Sequence, residues 1–133
     1  FSKKYGARLL KDKAMIHSLD YNALLIEQKI NPKIKVSFIL PFNLLFPQTK
    51  MSAYTMEATT LNSSFVDKAQ ARKQMVFAWT VNDETDMREQ MFNGVDGIIT
   101  DNLDDLKEVI AEDDDNPSYA QRILRMTSII NIE

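Results

Sequence analysis

No cysteine occurs in the 133 residues, so the chain holds no disulfide, thiolate zinc site or thiol nucleophile. Its single histidine, His17, rules out a histidine pair for acid–base work and a two-histidine metal site within the chain. Glycine is scarce at three. With neither G-x-G-x-x-G nor G-x-x-x-x-G-K present, nucleotide-binding versions of an open sheet lose their main support. A G-x-S-x-G elbow is also missing, which leaves serine-hydrolase chemistry unsupported. No apolar run approaches the roughly 18 to 20 residues that span a bilayer, and no signal peptide is visible. The net charge of -3, with lysines scattered rather than clustered, gives no electrostatic footprint for nucleic acid, so none is expected as a partner. The lack of cysteine leaves the compartment open.

What is present has the balance of one soluble globular domain: 44% hydrophobic and 26% charged residues. The sequence begins at Phe1 without an initiator methionine and is expected to be a piece of something longer. Its organising stretch runs from Met75 to Asn102. There a nearly continuous apolar run, as in a parallel strand covered on both faces, ends in Trp79-Thr80-Val81-Asn82. An acidic helix start follows, capped by Asn82 or Asp83, and Gly94 sits where a helix-ending residue with positive φ is wanted. A second strand covers Asp96 to Asp101. Strand, helix and strand in such short order mean two parallel strands joined by a crossover.

The other segments read as neighbours of that unit. Phe1, Tyr5, Leu9 and Leu10 share a helix face over Phe1 to Lys13. Ala14 to Leu19 is a strand, and Asp20 caps a helix burying Leu24, Leu25 and Gln28 or Ile30. Asn31-Pro32 ends that helix, because the residue before proline is pushed out of the α region. Ile34 to Leu40 resumes as a strand. Pro41 to Ser52 is irregular yet apolar, carrying Phe42, Leu44, Leu45 and Phe46. It is either a lid over the sheet end or the wall of a pocket or partner contact. Tyr54 to Thr59 alternates as a strand, and Asn62, Ser63 or Ser64 starts a helix with Phe65, Val66 and Ala69 inward. Leu103, Leu106, Val109 and Ile110 form the buried stripe of another helix. Asp113 to Pro117 is a charged linker, and Tyr119 to Ile130 an amphipathic helix on the body. Repeated alternation predicts a parallel α/β architecture, with a doubly wound sheet and a slice of a (β/α)8 barrel both open.

In parallel α/β folds ligands sit at the carboxyl ends of the strands. Here those ends offer Ser18 and Asp20, Leu40 to Phe42, Glu57, Trp79 with Asn82, and Thr100 with Asp101. Asp20, Glu57 and Asp101 have the oxygen chemistry for a divalent cation, but helix capping explains Asp20 and Asp101 just as simply. Trp79, the sole tryptophan, is either core or an apolar platform for a ligand. His17 lies inside a strand and reads as a satisfied core histidine rather than a catalytic one.

Val76-Phe77-Ala78-Trp79-Thr80-Val81-Asn82, followed by Asn93-Gly94-Val95-Asp96-Gly97-Ile98-Ile99-Thr100-Asp101-Asn102, resembles the carboxyl-terminal signature of the glycerophosphodiester phosphodiesterase family. Ile16 to Asp20 resembles the family's strand ending in Ser-Phe-Asp, with Leu19 in place of the phenylalanine. Tyr54 to Leu61, with Glu57, resembles the strand before the tryptophan strand. The likeness extends over most of Ala14 to Ile110.

The resemblance implies a partial (β/α)8 TIM barrel, its parallel strands four to eight with their helices. Residues 1-112 would be the carboxyl-terminal part of the barrel, and residues 113-133 a linker and carboxyl-terminal amphipathic helix. It also implies a phosphoric diester hydrolase that splits glycerophosphodiesters to an alcohol and glycerol 3-phosphate, in lipid and glycerol metabolism. The complete enzyme would use a divalent metal, calcium or magnesium, with none bound by this piece. The family's His-Arg-Gly start, Glu-x-Asp metal ligands, second histidine and Glu-x-Lys segment have no counterpart here. His17 matches neither family histidine, so the resemblance leaves the piece inactive alone and without catalytic residues. Trp79 is carried over as the substrate-binding residue lining the glycerol or leaving-group side, with Asn82, Thr100 and Asp101 shaping the strand ends.

Leu40-Pro41-Phe42-Asn43 and Asn116-Pro117-Ser118-Tyr119 resemble the membrane-anchored bacterial subgroup. That places the parent at a bacterial cell membrane and this segment in solution. Five strands of a closed barrel leave two unpaired edges, which predicts a homo-oligomer formed through them. The alternative is a non-catalytic module that binds a partner through those edges or the Phe42-Phe46 loop.

Overall fold

The structure, a computed structural model, describes residues 14–115. The expected amino-terminal helix, the Pro117 end of the linker and the Tyr119 to Ile130 helix lie outside the described residues. Five strands form one sheet: β1 (Met15–Ser18), β2 (Lys35–Leu40), β3 (Ala53–Glu57), β4 (Met75–Trp79) and β5 (Gly97–Ile98). Every neighbouring pair is parallel, and the spatial order is the chain order. The helices are α1 (Tyr21–Ile30), α2 (Ser63–Ala71), α3 (Glu84–Asn93) and α4 (Leu103–Asp115), with a 3-10 turn at Ala58–Thr60 after β3.

Strand order separates the two architectures left open by the sequence. A doubly wound sheet reverses its winding and places helices on both faces. Here the order never reverses. The core joins Leu24, Phe65, Val66, Ala69, Met87, Leu106 and Val109 of the helices to Val36, Tyr54, Met56, Val76 and Ala78 of the strands. In register, Phe38, Tyr54 and Val76 lie side by side, as do Leu40, Met56 and Ala78. The helices therefore cover one face, and the fold is the arc of a (β/α)8 barrel. Because strand side chains alternate, the other face carries His17, Ser37, Thr55, Phe77, Glu57 and Trp79.

Local sequence explains most boundaries. The Asp20 carboxylate caps α1, accepting from Asn22 N at 2.9 Å and Ala23 N at 3.2 Å. Asn31 closes that helix before Pro32, donating its N–H to Glu27 O. Asn62 caps α2, its side chain accepting from Phe65 N at 3.0 Å. Gly94 closes α3 in the left-handed region at φ 82°. Arg88 of α3 pairs with Glu84 on its own helix and with Glu112 of α4, and these carboxylates raise its pKa.

One alternative is decided and several expectations change. Asp83, not Asn82, caps α3, accepting from Thr85 N at 2.8 Å. The strand expected over Asp96 to Asp101 is only Gly97–Ile98, flanked by Asp96 N donating to Val76 O and Ile99 N to Ala78 O, after which Thr100 to Asn102 turn into bonds with Asn82. Helix α1 buries Leu24 alone, leaving Leu25, Ile26 and Ile30 exposed beside edge strand β1. Likewise α4, next to edge strand β5, buries Leu106 and Val109 and exposes Leu103 and Ile110. It runs through the start of the expected linker to Asp115.

Candidate active-site wall

The strands and the loops at their carboxyl ends build two side-chain groups. The first lies on the face opposite the helices. His17 Nδ1 and Thr55 Oγ1 are hydrogen bonded at 2.8 Å, and Thr55 Oγ1 also meets Ser37 Oγ at 2.7 Å. The His17 ring stands edge-on to Phe77, with centroids 5.7 Å apart. Trp79, half-buried at the end of β4 and in register with Glu57, donates from Nε1 to Thr55 O at 3.3 Å. Thr55 thus ties together the histidine, the serine and the tryptophan. Its alternation with Tyr54 and Met56 was the available signal for its facing, but threonine in a strand is common enough that composition did not single it out.

His17 is not the buried core histidine that the sequence suggested. Its residue is exposed on this face, because β1 is an edge strand with no neighbour on its outer side among the described residues. Partial burial of the ring against its neighbours lowers its pKa from the ordinary value of 6.5.

The second group joins the loops after β4 and β5. Asn82 Oδ1 accepts from Asp101 N at 2.9 Å and Thr100 Oγ1 at 3.1 Å, while Asn82 Nδ2 donates to Asp101 Oδ2 at 3.0 Å. Asn102 Nδ2 donates to Asn82 O at 2.9 Å, and Thr100 Oγ1 accepts from Asn102 N at 2.9 Å. The amide of Asn82 is satisfied on both sides, which clamps the two strand ends together. Asp101 is a member of this clamp rather than the helix cap expected of it. The structure therefore brings Asn82, Thr100 and Asp101 together, with Trp79 packed separately on Thr55.

The acids considered for a cation are otherwise engaged. Asp20 caps α1, Asp101 takes the Asn82 amide, and Glu57 Oε2 accepts from Thr59 N at 3.1 Å and from Thr59 Oγ1 in a short bond of 2.5 Å. Among the described residues no group of three or more His, Asp or Glu converges to hold a metal ion. The divalent cation implied by the sequence resemblance does not fit the residues described, and no chemical step of this chain is routed through one.

An arc of parallel strands, with Trp79 and the Asn82 clamp at their carboxyl ends, defines part of a (β/α)8 barrel. The chain belongs to the glycerophosphoryl diester phosphodiesterase family, whose model matches residues 5–105. It is 27% identical over 105 residues to the glycerophosphodiester phosphodiesterase of Caldanaerobacter subterraneus subsp. tengcongensis, covering 75% of this chain and 43% of that protein. Among solved structures, one from Silicibacter pomeroyi DSS-3 assigned to the same family superposes with a TM-score of 0.75 at 21% identity, over 84% of this chain and 41% of that one. An Oleispira antarctica phosphodiesterase, solved with its product sn-glycerol-3-phosphate, gives 0.66 at 18% identity, over 79% and 47%. The chain thus spans about half or less of the length of these relatives, and at such identities the structures establish the shared barrel fold.

Proposed function

We propose that this chain is the carboxyl-terminal part of a glycerophosphodiester phosphodiesterase that hydrolyses glycerophosphodiesters to an alcohol and glycerol 3-phosphate. The observation that carries this reading is the family match over residues 5–105, with Trp79 standing at the carboxyl end of β4 on the face away from the helices. Trp79 forms an apolar wall against the glycerol or leaving group, held in orientation by Thr55 O. Asn82, Thr100 and Asp101 fix the shape of the rim. On this reading the acid, the base and the calcium or magnesium ligands lie outside this chain, and the isolated chain is inactive. The bound glycerol 3-phosphate of the Oleispira antarctica structure supports the substrate class.

The assay is hydrolysis of glycerophosphocholine with added calcium or magnesium. No turnover is expected from the chain alone. Turnover by the purified chain that disappears on chelation would overturn its assignment as a wall without machinery.

The edges favour a further element of the reading, a homo-oligomer. Edge helices α1 and α4 expose Leu25, Ile26 and Ile30, and Leu103 and Ile110. Sedimentation showing a stable monomer at micromolar concentration would reject it. Membrane anchorage of the parent, in the subgroup resembled by Leu40 to Asn43, stands as a proposal to be tested by cell fractionation of the intact protein. No helix among the described residues is long and apolar enough to cross a membrane.

A further inference from the structure

The loop between β2 and β3 holds an exposed apolar tip beside a groove of mixed lining. Phe42, Leu44 and Leu45 are 63%, 84% and 86% exposed. They are not the edge of a collapsed greasy segment, since the backbone around them is braced. Asn43 N donates to Thr60 Oγ1 and Asn43 Nδ2 to Thr60 O, both at 3.1 Å. Phe46 packs on Phe65 and Tyr54 with ring centroids 5.1 and 5.7 Å apart, and the Arg72 guanidinium lies 5.7 Å from its centroid. Immediately beside the tip is a groove of about 260 Å³ lined by Leu44, Leu45, Phe46 and Phe65 together with Asn43, Asn62, Ser64 and Lys68. Lys68 forms no ion pair among the described residues. Asn43 and Asn62 are occupied with Thr60 and Phe65, which leaves the Ser64 hydroxyl and the Lys68 ammonium to meet an occupant.

We propose that this tip docks on an anionic phospholipid surface, with Leu44 and Leu45 entering the acyl boundary and Lys68 meeting headgroup phosphate in the groove. A convex tip of three large apolar side chains matches a deformable apolar medium. The groove beside it sets the Lys68 ammonium and the Ser64 hydroxyl against apolar walls, which is complementary in charge to an anionic headgroup. Apolar side chains next to a cation and a hydroxyl reproduce the layering of a bilayer interface. The tip follows the carboxyl end of β2, so docking sets the open end of the barrel toward the membrane. This inference extends the functional reading without depending on any catalytic residue.

The test is co-sedimentation of the full chain with vesicles of phosphatidylglycerol and phosphatidylcholine, and with phosphatidylcholine alone. Binding is expected to the anionic vesicles and to be much weaker to the neutral ones. Leu44→Ser with Leu45→Ser should lower the partition coefficient at least about tenfold, and Lys68→Gln about fivefold. Because these side chains are exposed, melting curves should match the parent and separate lost binding from lost folding. Three results would each overturn the proposal: undiminished binding by the double serine variant, complete competition by millimolar inorganic phosphate, or a vesicle-free dimer dissolved by the same variant. Glycerophosphocholine hydrolysis by the intact enzyme, measured in parallel without vesicles, tests the enzymatic reading on its own, so failure here is distinct from failure of that reading.

Discussion

The ring of Phe77 covers the Cα of Gly97 so closely that a Cβ there would stand 2.5 Å from Phe77 Cδ1 and 2.7 Å from Cε1. The two residues are register partners across β4 and β5, and the same ring meets His17 edge-on. Gly97 is required by space, not by its backbone angles. Gly97→Ala should destabilise the chain by about 1–3 kcal/mol, the cost of overpacking a fitted contact. In a Phe77→Leu background the added methyl should cost much less, and the double-mutant cycle from chemical denaturation reads that coupling. Equal costs in both backgrounds would reject the contact as the cause.

The Asn82 clamp predicts a difference between two small substitutions. Asn82→Ala removes the bonds to Asp101 N, Asp101 Oδ2 and Thr100 Oγ1 at an exposed site, where water replaces them, so a loss of about 1 kcal/mol is expected. Asn82→Asp keeps the acceptor but turns the amide donor into an oxygen facing Asp101 Oδ2. It should therefore be the more damaging of the two, and less so at high salt. Denaturation midpoints at two ionic strengths measure this, and a milder Asn82→Asp would refute the donor assignment.

Much of the fold was legible because its signals were local. Asp20, Asn62 and Gly94 cap where their chemistry predicts, and the apolar runs became strands. The winding was not legible, since periodicity does not report which face each helix takes. Fully apolar stretches predicted cover on both sides, yet β4 alternates between buried Val76 and Ala78 and half-buried Phe77 and Trp79. The site was half legible. The strand-end positions of Trp79 and of Asn82, Thr100 and Asp101 followed from the sequence, whereas Thr55 emerged only from the hydrogen bonds that join it to His17, Ser37 and Trp79. Edge position misled at both ends of the sheet: His17 and Leu25 by β1, and Leu103 and Ile110 by β5, have apolar contexts but lie where the described sheet stops.

Trp79 separates a pocket wall from a packing residue. In the intact enzyme, Trp79→Ala should lower kcat/KM for glycerophosphocholine about tenfold or more, chiefly through KM, the scale of roughly 1.4 kcal/mol of lost binding. Trp79→Phe keeps an aromatic face but loses the Nε1 donation to Thr55 O, and should fall between. A Trp79→Ala enzyme that melts earlier yet keeps its kcat/KM would return the residue to core packing.

The lowered pKa of His17 gives stability a pH dependence with a definite sign. The unfolded chain protonates this imidazole near its ordinary value of 6.5, while burial holds the folded value below that. Between the two values the unfolded state binds more protons. The contribution is therefore complete above about pH 6.5, shrinks as pH falls through that value, and is fully lost below the folded-state pKa. Protonation also removes the option for Nδ1 to accept from Thr55 Oγ1, turning that 2.8 Å bond into one where the ring must donate. His17→Gln keeps a hydrogen-bonding side chain without a titration, so its stability should lack this component between pH 7 and 5. Because His17 is the only histidine, the difference between the two pH profiles isolates one group. Superimposable profiles would show that folding leaves its proton affinity unchanged.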